Sequence, residues 1–286
     1  MARVGRAISF LVASFVCLGL GGMSRPAGAQ EAAAPAPPGK PEMRESCPGL
    51  ISLERPRVVP AAFRVASLAP SEVRITYVGH ATFLLESPQL VRIATDYNDY
   101  VRPPVLPDIV TMNHAHTTHY TDHPEPGIKY VLRGWRDDGR PAAHDVTYKD
   151  VHVRSVATNI RTFDGGTERH GNSVFIFEIG SLCIAHLGHL HHTLTQQQLD
   201  EMGHVDIVMV PVDGSFTLDL DGMVEVLQSL KAPLMIPMHY FSRFTLERFL
   251  SRVQSRYAVE FSETPSLVVS RASLPATPKV LVLPGH

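Results

Sequence analysis

After residue 70 the chain alternates between short apolar runs and polar breaks, and most of these runs predict β-strands. Runs of four to eight residues that are rich in β-branched and aromatic side chains and bounded by turn residues are typical of strands. The segments that fit are VRITYV (73–78), TFLLE (82–86), VRIAT (91–95), IVTM (109–112), KYVL near residue 130, VHVRSV (151–156), SVFIFEI (173–179), LCIAHL (182–187), VDIVMVPV (205–212) and PLMIPMHY (233–240). The last two predict buried strands that end in loops.

Helical patterns begin only in the second half of the chain. Thr195 can cap the segment QQQLDEMG, and Asp221 or a neighbour can start GMVEVLQSL, which Pro233 would stop. The segment TLERFLSRVQSRY (245–257) has the spacing of an amphipathic helix. Strands that come first, with helices interleaved later, favour an α/β fold in which sheets pack together and helices lie outside.

The first 29 residues have the order of features found in a signal peptide. Arg3 and Arg6 precede an apolar run from residue 7 to 23, and Ala27-Gly28-Ala29 supplies small residues for cleavage. The alternative is an uncleaved anchor, but the run is short for a spanning helix, which needs about 20 apolar residues. We therefore expect export to the periplasm or beyond, with no stable membrane insertion after cleavage.

The remaining chain divides into an arm and a domain. Residues 30–70 are rich in Ala and Pro, and this composition predicts a linker or a loosely docked arm. Residues 71–286 have the length of one ordinary domain. After cleavage only Cys47, in the arm, and Cys183, in an apolar strand, remain; a disulfide between them is possible, although burial of Cys183 as a small apolar residue is favoured.

The charge distribution and the absence of several known catalytic motifs exclude several classes of function. The formal net charge is −2, and Lys and Arg form no cluster, so nucleic acid is not expected as a partner. The sequence contains no G-x-S-x-G elbow, phosphate-binding Walker loop, H-E-x-x-H helix or C-x-x-C pair. A small-molecule substrate is the expected partner, and the oligomeric state is left open.

Histidines are the chemically distinctive residues of this chain. Fifteen are present, and the segment NHAHTTHYTDH (113–123) holds four of them. His114 and His116 alternate along an extended segment, and His119 follows where the chain can turn back, so these three favour a metal site over coincidence. A lone histidine at a strand end is more often structural, which is our interpretation of His152 and His204.

Five motifs in order resemble the metallo-β-lactamase superfamily, within it the lactonase-like and N-acylphosphatidylethanolamine phospholipase D-like branches. The motifs are VRITYVGHATFLLE, PDIVTMNHAHTTH, RHGN, IAHLGHLHH and IPMHY, spread over residues 72–257. The resemblance implies an αββα sandwich with a metal site along one edge and metal-activated water as the nucleophile.

The resemblance also implies a ligand set. His114, His116 and His170 would hold the first metal, and His119 and His239 would belong to the second. The family normally adds two aspartates, but Thr118 and His189 occupy their positions here. Because two negative charges are missing, we expect one tightly held ion, preferably zinc, with iron or manganese as alternatives. His189 would join a weak second site or position water and substrate.

Further residues are candidates for lining the site or moving protons. His80 lies on a glycine turn and is expected to line the pocket, and Asp96 could orient a ligand imidazole. Asp122, Asp213 and Asp221 are the nearest acids in sequence, and any of them could act as a general base.

The sequence thus predicts an exported metal-dependent hydrolase that acts on an ester, lactone, amide or phosphodiester. A metal lowers the pKa of bound water to about 7 and polarises the scissile oxygen. The missing carboxylates leave a second hypothesis, a metal-binding protein without catalysis on the same fold. An iron or manganese redox protein is a third hypothesis, which a set of ligands made only of histidine disfavours.

We predict that the mature protein starts near Gln30, because charge, apolar run and small-residue site follow one another in the order that a signal peptidase requires. Mass spectrometry of the intact protein from its native host should show the loss of residues 1–29. A mature protein that still carries Met1 would contradict export by this route.

Overall fold

Strands are the main regular elements of residues 67–285, the part of the chain that the computed structural model describes. The strands are β1 (Val73–Gly79), β2 (Thr82–Glu86), β3 (Arg92–Ala94), β4 (Ile109–Met112), β5 (Tyr130–Arg133), β6 (Asp145–Tyr148), β7 (Val151–Arg161), β8 (Thr167–Ile179), β9 (Leu182–His186), β10 (Ile207–Pro211), β11 (Leu234–Met238), β12 (Ala258–Phe261), β13 (Ser266–Val269) and β14 (Lys279–Val282). The helices are α1 (Gln196–Met202), α2 (Leu220–Leu230) and α3 (Arg243–Val253). The predicted signal peptide, Cys47 and all of the predicted arm except residues 67–70 lie outside the described residues.

Two mixed sheets pack face to face. One has six strands in the order β13-β1-β2-β3-β4-β5, and the other has eight in the order β12-β14-β11-β10-β9-β8-β7-β6. Strands β3, β4 and β5 run parallel, and so do β9, β10, β11 and β14. The expected α/β sandwich is therefore confirmed.

Alternate side chains of a strand point to opposite faces of its sheet, and in the eight-stranded sheet they contribute to two apolar layers. Phe175 and Phe177 of β8 lie in the layer between the sheets, together with Ile75 of β1. Val174 and Ile176 point to the opposite face of the eight-stranded sheet, where the apolar sides of all three helices cover them. Burial of one such side chain stabilises the fold by about 1.5–3 kcal/mol, so the alternation fixes the register of β8.

The helices begin where the predicted caps place them, within a few residues. The Thr195 side chain caps α1 and accepts a hydrogen bond from the Gln198 amide in a capping box. Asp219 caps α2, which ends at Lys231 in a left-handed conformation, before Pro233. Helix α3 begins at Arg243, two residues earlier than predicted, because the Ser242 side chain caps it.

Four strands were absent from the sequence-based prediction. They are β6 and the C-terminal strands β12, β13 and β14. Strands β6 and β12 form the outer edges of the eight-stranded sheet and expose much of their surface, so they lack the apolar run that indicates a buried strand. Within residues 67–285, no helix is long and apolar enough to cross a membrane.

The fold brings several of the predicted site residues to one edge of the sandwich. Residues 113–119 follow β4, residues 187–191 follow β9, Asp213 follows β10 and His239 follows β11. Because β9, β10 and β11 are parallel, their carboxyl ends lie side by side, which is where open α/β sheets place their sites.

Candidate metal centre

Five imidazoles from both sheets meet at this edge: His80, His116, His119, His189 and His239. The ring centroids of His80 and His239 are 4.2 Å apart, those of His116 and His119 are 4.6 Å apart, and those of His119 and His189 are 4.7 Å apart. Four of the five, His80, His116, His119 and His239, offer ligand nitrogens that all lie within 4.8 Å of one another. This group of four is the candidate metal site of the described residues.

A buried carboxylate holds His119 from behind. Asp96 Oδ2 lies 2.5 Å from His119 Nδ1, and Asp96 Oδ1 accepts a hydrogen bond from Asn113 Nδ2 at 2.9 Å. The Asn113 side chain is oriented in turn, since its Oδ1 accepts a hydrogen bond from the Ser173 amide. Burial raises the pKa of Asp96 to about 6, while His186 and Asn113 oppose the shift, so the carboxyl group is mainly ionised at pH 7.

A second carboxylate holds His239 in the same way. Asp213 Oδ1 lies 3.0 Å from His239 Nδ1 and also accepts a hydrogen bond from the Thr217 hydroxyl. Asp213 Oδ2 accepts hydrogen bonds from the amides of Ser215 and Phe216. Burial acts to raise the pKa of Asp213, but the hydrogen bonds from His239 and Thr217 outweigh it and hold the pKa below its ordinary range. Asp213 is therefore an anion.

The two pairs leave His119 and His239 with their free lone pairs facing each other. Each Nδ1 donates its proton to a carboxylate, so each neutral ring has a lone pair on Nε2. The two Nε2 atoms are only 3.1 Å apart. Two nitrogen ligands of one tetrahedral zinc ion lie about 3.3 Å apart, given a Zn–N distance of about 2.0–2.1 Å. The residues present thus fit a metal ion, which would replace lone-pair repulsion by two bonds.

The remaining imidazoles are linked by hydrogen bonds. His116 Nε2 lies 3.0 Å from His189 Nε2, and His189 Nδ1 lies 2.5 Å from His191 Nε2. The Thr118 hydroxyl lies 2.7 Å from His116 Nδ1 and 3.0 Å from His80 Nε2. Thr118, which occupies an aspartate position of the family, therefore joins two of the four candidate ligands.

Burial keeps these imidazoles neutral. It lowers the pKa of His80 to about 3, with the neighbouring His239 adding to the shift. Burial and the surrounding histidines also hold the pKa values of His119 and His189 well below the ordinary value. Neutral rings at pH 7 expose the lone pairs that a metal requires.

Several site residues have left-handed backbones. His80 has φ of 51°, Asp96 of 41° and His239 of 56°. A non-glycine residue in such a conformation costs on the order of 1–3 kcal/mol and persists only where its surroundings hold it. The His239 amide donates to the His80 carbonyl at 2.7 Å, which ties two of these segments together. The site is thus held in shape against local backbone preference.

The structure places His114 outside the cluster. Its ring stacks on Trp135 at 4.9 Å, and its Nδ1 lies 2.7 Å from Glu168 Oε1. The reason is the register after β4. Asn113 is fully buried between Asp96 and Ser173, so the next side chain points away, and the turn from His116 to His119 carries the later histidines inward.

His170 and Asp122 are also placed outside the cluster. His170 lies in β8 with φ of 59°, and its amide is bound to Asn159 Oδ1. The Asp122 carboxylate is 71% exposed and lies 4.0 Å from Arg133. Of the three acids considered as general base, Asp221 pairs with Arg252 on the surface, and only Asp213 reaches the candidate ligands.

His191 is the site residue that sequence reasoning missed. It is buried, and it connects His189 to the Arg161 backbone amide. The H-x-H spacing of His189 and His191 is the signal that could have indicated it, since such spacing brings both side chains to one side of an extended segment.

Comparison with known proteins identifies the family. A family model described as a β-lactamase superfamily domain matches residues 74–239, more than half of the chain. The chain belongs to the metallo-β-lactamase superfamily. Metal-dependent hydrolases from Thermoplasma volcanium and Methanosarcina mazei are 27% and 23% identical to it over 199 and 197 residues, which is 59% of this chain and 84% of each relative. This member of the superfamily therefore stands among its metal-dependent hydrolases.

Solved structures agree on the architecture of the superfamily. A candidate zinc-dependent hydrolase of the superfamily from Thermotoga maritima is 29% identical, with a TM-score of 0.57 over 75% of this chain and 100% of that one. The diiron β-hydroxylase CmlA from Streptomyces venezuelae, at 10% identity and a TM-score of 0.53 over 71% of this chain and 55% of that one, shares the fold alone.

Replacement of His119 by Ala should abolish tight metal binding, whereas replacement of His114 should not. His119 presents a fixed lone pair to His239, and loss of even an outer partner of a ligand weakens affinity about 10–100-fold. Zinc content after dialysis against a weak chelator measures the difference. Equal loss of zinc from both variants would contradict the placement of His114 outside the site.

Gly188→Ala should destabilise the protein more than Gly139→Ala. Both glycines have left-handed backbones, with φ of 60° and 71°, so alanine costs each about 1–2 kcal/mol. A Cβ at Gly188 would lie 2.4 Å from both Asn113 Nδ2 and Asn172 Oδ1, but at Gly139 nothing lies within 4 Å. Overpacking should add about 1–3 kcal/mol at Gly188 only. Urea unfolding measures the loss of stability in both variants. Equal losses would show that Asn113 and Asn172 move aside without a cost in free energy.

Proposed function

We propose that this superfamily hydrolase cleaves an uncharged ester, lactone or amide that carries an apolar group, with one metal ion in its site. The observation that carries the proposal is the pair of imidazoles whose lone pairs face each other 3.1 Å apart. His80 and His116 supply further nitrogens within reach of the same point. A bound metal ion would supply Lewis acidity and a water of lowered pKa.

Zinc is the proposed metal. Imidazole nitrogens suit zinc, whereas manganese and magnesium prefer carboxylate oxygens. In this site the carboxylates of Asp96 and Asp213 bind the far side of His119 and His239 and do not offer oxygens to the centre. Iron fits imidazole as well, and metal analysis of the protein from its native host separates the two.

The acids next to the site orient the ligands and do not act as general bases. Both oxygens of Asp213 are occupied, one by His239 and Thr217 and the other by backbone amides. Asp96 is fully buried behind His119. Each carboxylate fixes the tautomer and angle of its imidazole and raises the basicity of the nitrogen that faces the metal.

Two exposed aromatic rings flank the imidazoles and support an apolar substrate group. The Phe241 ring lies 5.3 Å from that of His239 and 5.8 Å from that of His80. Phe216 packs edge-on against Phe241 at 5.6 Å. Their exposed fractions are 62% for Phe216 and 57% for Phe241, so the two rings form a contiguous exposed apolar surface beside the candidate ligands, as ligand-binding sites often do.

The test is hydrolysis of a substrate series by protein loaded with zinc and by protein freed of metal. Nitrophenyl esters of acetate, hexanoate and decanoate, aliphatic lactones and a nitrophenyl phosphodiester cover the classes. We expect zinc-dependent cleavage of the esters or lactones, with higher kcat/KM for longer chains. Cleavage of the phosphodiester alone would overturn the proposed substrate class, and no zinc-dependent cleavage of any member would overturn the proposed hydrolysis.

Phe241→Ala should raise KM for the decanoate ester about 10-fold and leave the acetate ester almost unchanged. The reason is that burial of apolar area at the ring is lost, at about 25 cal/mol per Å². Phe261→Ala is the matched control, because Phe261 is equally exposed but lies on the edge strand β12. Equal changes for both esters would contradict an apolar subsite at Phe241.

Export to an oxidising compartment is the proposed location. The order of features in residues 1–29 supports it, and so does the participation of Cys183 in a disulfide, since such bonds persist in oxidising compartments. Removal of residues 1–29 leaves Cys47 as the other cysteine of the sequence, which makes it the proposed partner. Peptide mapping without reductant tests this pairing.

A further inference from the structure

A backbone amide fixes the protons of a buried histidine pair. The Arg161 N–H donates to His191 Nδ1 at 2.7 Å. A peptide nitrogen can donate but cannot accept, so His191 Nδ1 carries the lone pair and its proton lies on Nε2. His191 therefore acts as a donor toward the metal centre.

The proton of His189 is fixed in turn by His191. His191 Nε2–H lies 2.5 Å from His189 Nδ1, so this nitrogen accepts the hydrogen bond and carries no proton. A neutral imidazole with an unprotonated Nδ1 has its one proton on Nε2. The Nε2 of His189 thus presents an N–H, and it lies 3.0 Å from His116 Nε2, inside the cluster.

The surroundings hold His189 in this state. Its side chain and that of His191 are buried, and its amide donates to Asn172 Oδ1 at 2.7 Å. Asn172 cannot flip freely, because its Nδ2 donates to Thr158 Oγ1 and to the Leu187 carbonyl. To present a lone pair on Nε2, His189 would have to give up the hydrogen bond from His191.

The order of protons continues to His80. Because His116 Nε2 accepts from His189, His116 carries its proton on Nδ1 and donates to Thr118 Oγ1 at 2.7 Å. The Thr118 hydroxyl can then donate to His80 Nε2 at 3.0 Å. A hydroxyl can accept and donate at once, whereas an ionised aspartate at this position could only accept.

We propose that His189 is not a metal ligand but an N–H donor aimed into the metal centre, where it binds the oxygen of the scissile group of the substrate. His191 and the Arg161 amide are the positioning groups that fix its proton. The donor state follows from the hydrogen bonds alone, and the role toward the substrate rests on the proposed hydrolysis.

An N–H donor at this position could stabilise the charge that develops during hydrolysis. Attack on an ester or lactone places negative charge on the carbonyl oxygen, and a fixed N–H in a buried site stabilises that charge. If His116 gave its lone pair to a metal, the His189 N–H would lose its acceptor and would be available to a substrate oxygen. The lone pairs that remain for a metal belong to His116, His119 and His239, and that of His80 is released when the Thr118 hydroxyl turns away, so the group of four provides a single metal site.

The test combines variants of His189 and His191 with three measurements. His191→Gln is the conservative variant, because the amide side chain can accept from the Arg161 N–H through its oxygen and donate to His189 through its nitrogen. His191→Phe is the disruptive variant of similar volume. Zinc content, imidazole ¹⁵N spectra of the zinc-loaded protein and kcat on a nitrophenyl ester are measured for each.

In the wild-type protein and in His191→Gln, the Nε2 signal of His189 should show a directly bonded proton; the signal is assigned by its loss in His189→Ala. His191→Phe should lower kcat by roughly 100-fold, as loss of one oxyanion donor does, while His191→Gln should retain most of it. His189→Ala should keep one zinc equivalent, and His239→Ala, the matched ligand variant, should lose it.

Two results would overturn the assignment of His189 as a donor and not a ligand. The first is an Nε2 of His189 without a proton in the zinc-loaded protein, and the second is loss of zinc from His189→Ala equal to that from His239→Ala. If the spectra and zinc contents are as expected but wild-type protein cleaves no ester, lactone or amide, the donor state stands and the proposed function fails. Equal kcat in His191→Phe and wild type would overturn the role toward the substrate.

Discussion

The arrangement of the whole site depends on two nitrogen lone pairs that face each other inside the protein. His119 and His239 meet at 3.1 Å, and each has its other nitrogen bound to a carboxylate, so neither ring can turn its proton toward the other. Such an arrangement is unfavourable until a cation lies between the rings. The buried anions, the paired strand ends and the left-handed backbones at His80 and His239 all serve to keep this meeting point in place.

The positions of the carboxylates distinguish this site from the family pattern. The resemblance to the family implies aspartates that bind the metals directly, with Thr118 and His189 in their positions here. Negative charge is retained one layer further out, at Asp96 and Asp213, where it acts through the imidazoles. Charge behind a ligand strengthens the ligand without offering an oxygen that could bridge two ions. This division allows a site without carboxylate ligands to compensate part of the charge of a bound cation.

Much of the fold could be predicted from the sequence, and less of the site. Continuous apolar runs indicate buried strands such as β8 and β10. Strands β6 and β12 are exposed edges whose sequences carry no such run. In the site, the cluster after β4 was indicated by its histidine spacing. The direction of each side chain was not, because Asn113 takes the buried place and turns His114 outward. His191 escaped notice since its role depends on the Arg161 amide of another strand.

The last three strands belong to the folded domain although they lie beyond the family match. The family match ends at residue 239, but β13 closes the six-stranded sheet beside β1, and β14 with β12 closes the eight-stranded sheet beside β11. One C-terminal segment therefore seals both halves of the sandwich. A recombinant fragment trimmed at the end of the matched residues would expose two bare strand edges, those of β1 and β11, to pairing with other chains. The boundary of the folded unit lies beyond the boundary of the recognisable family.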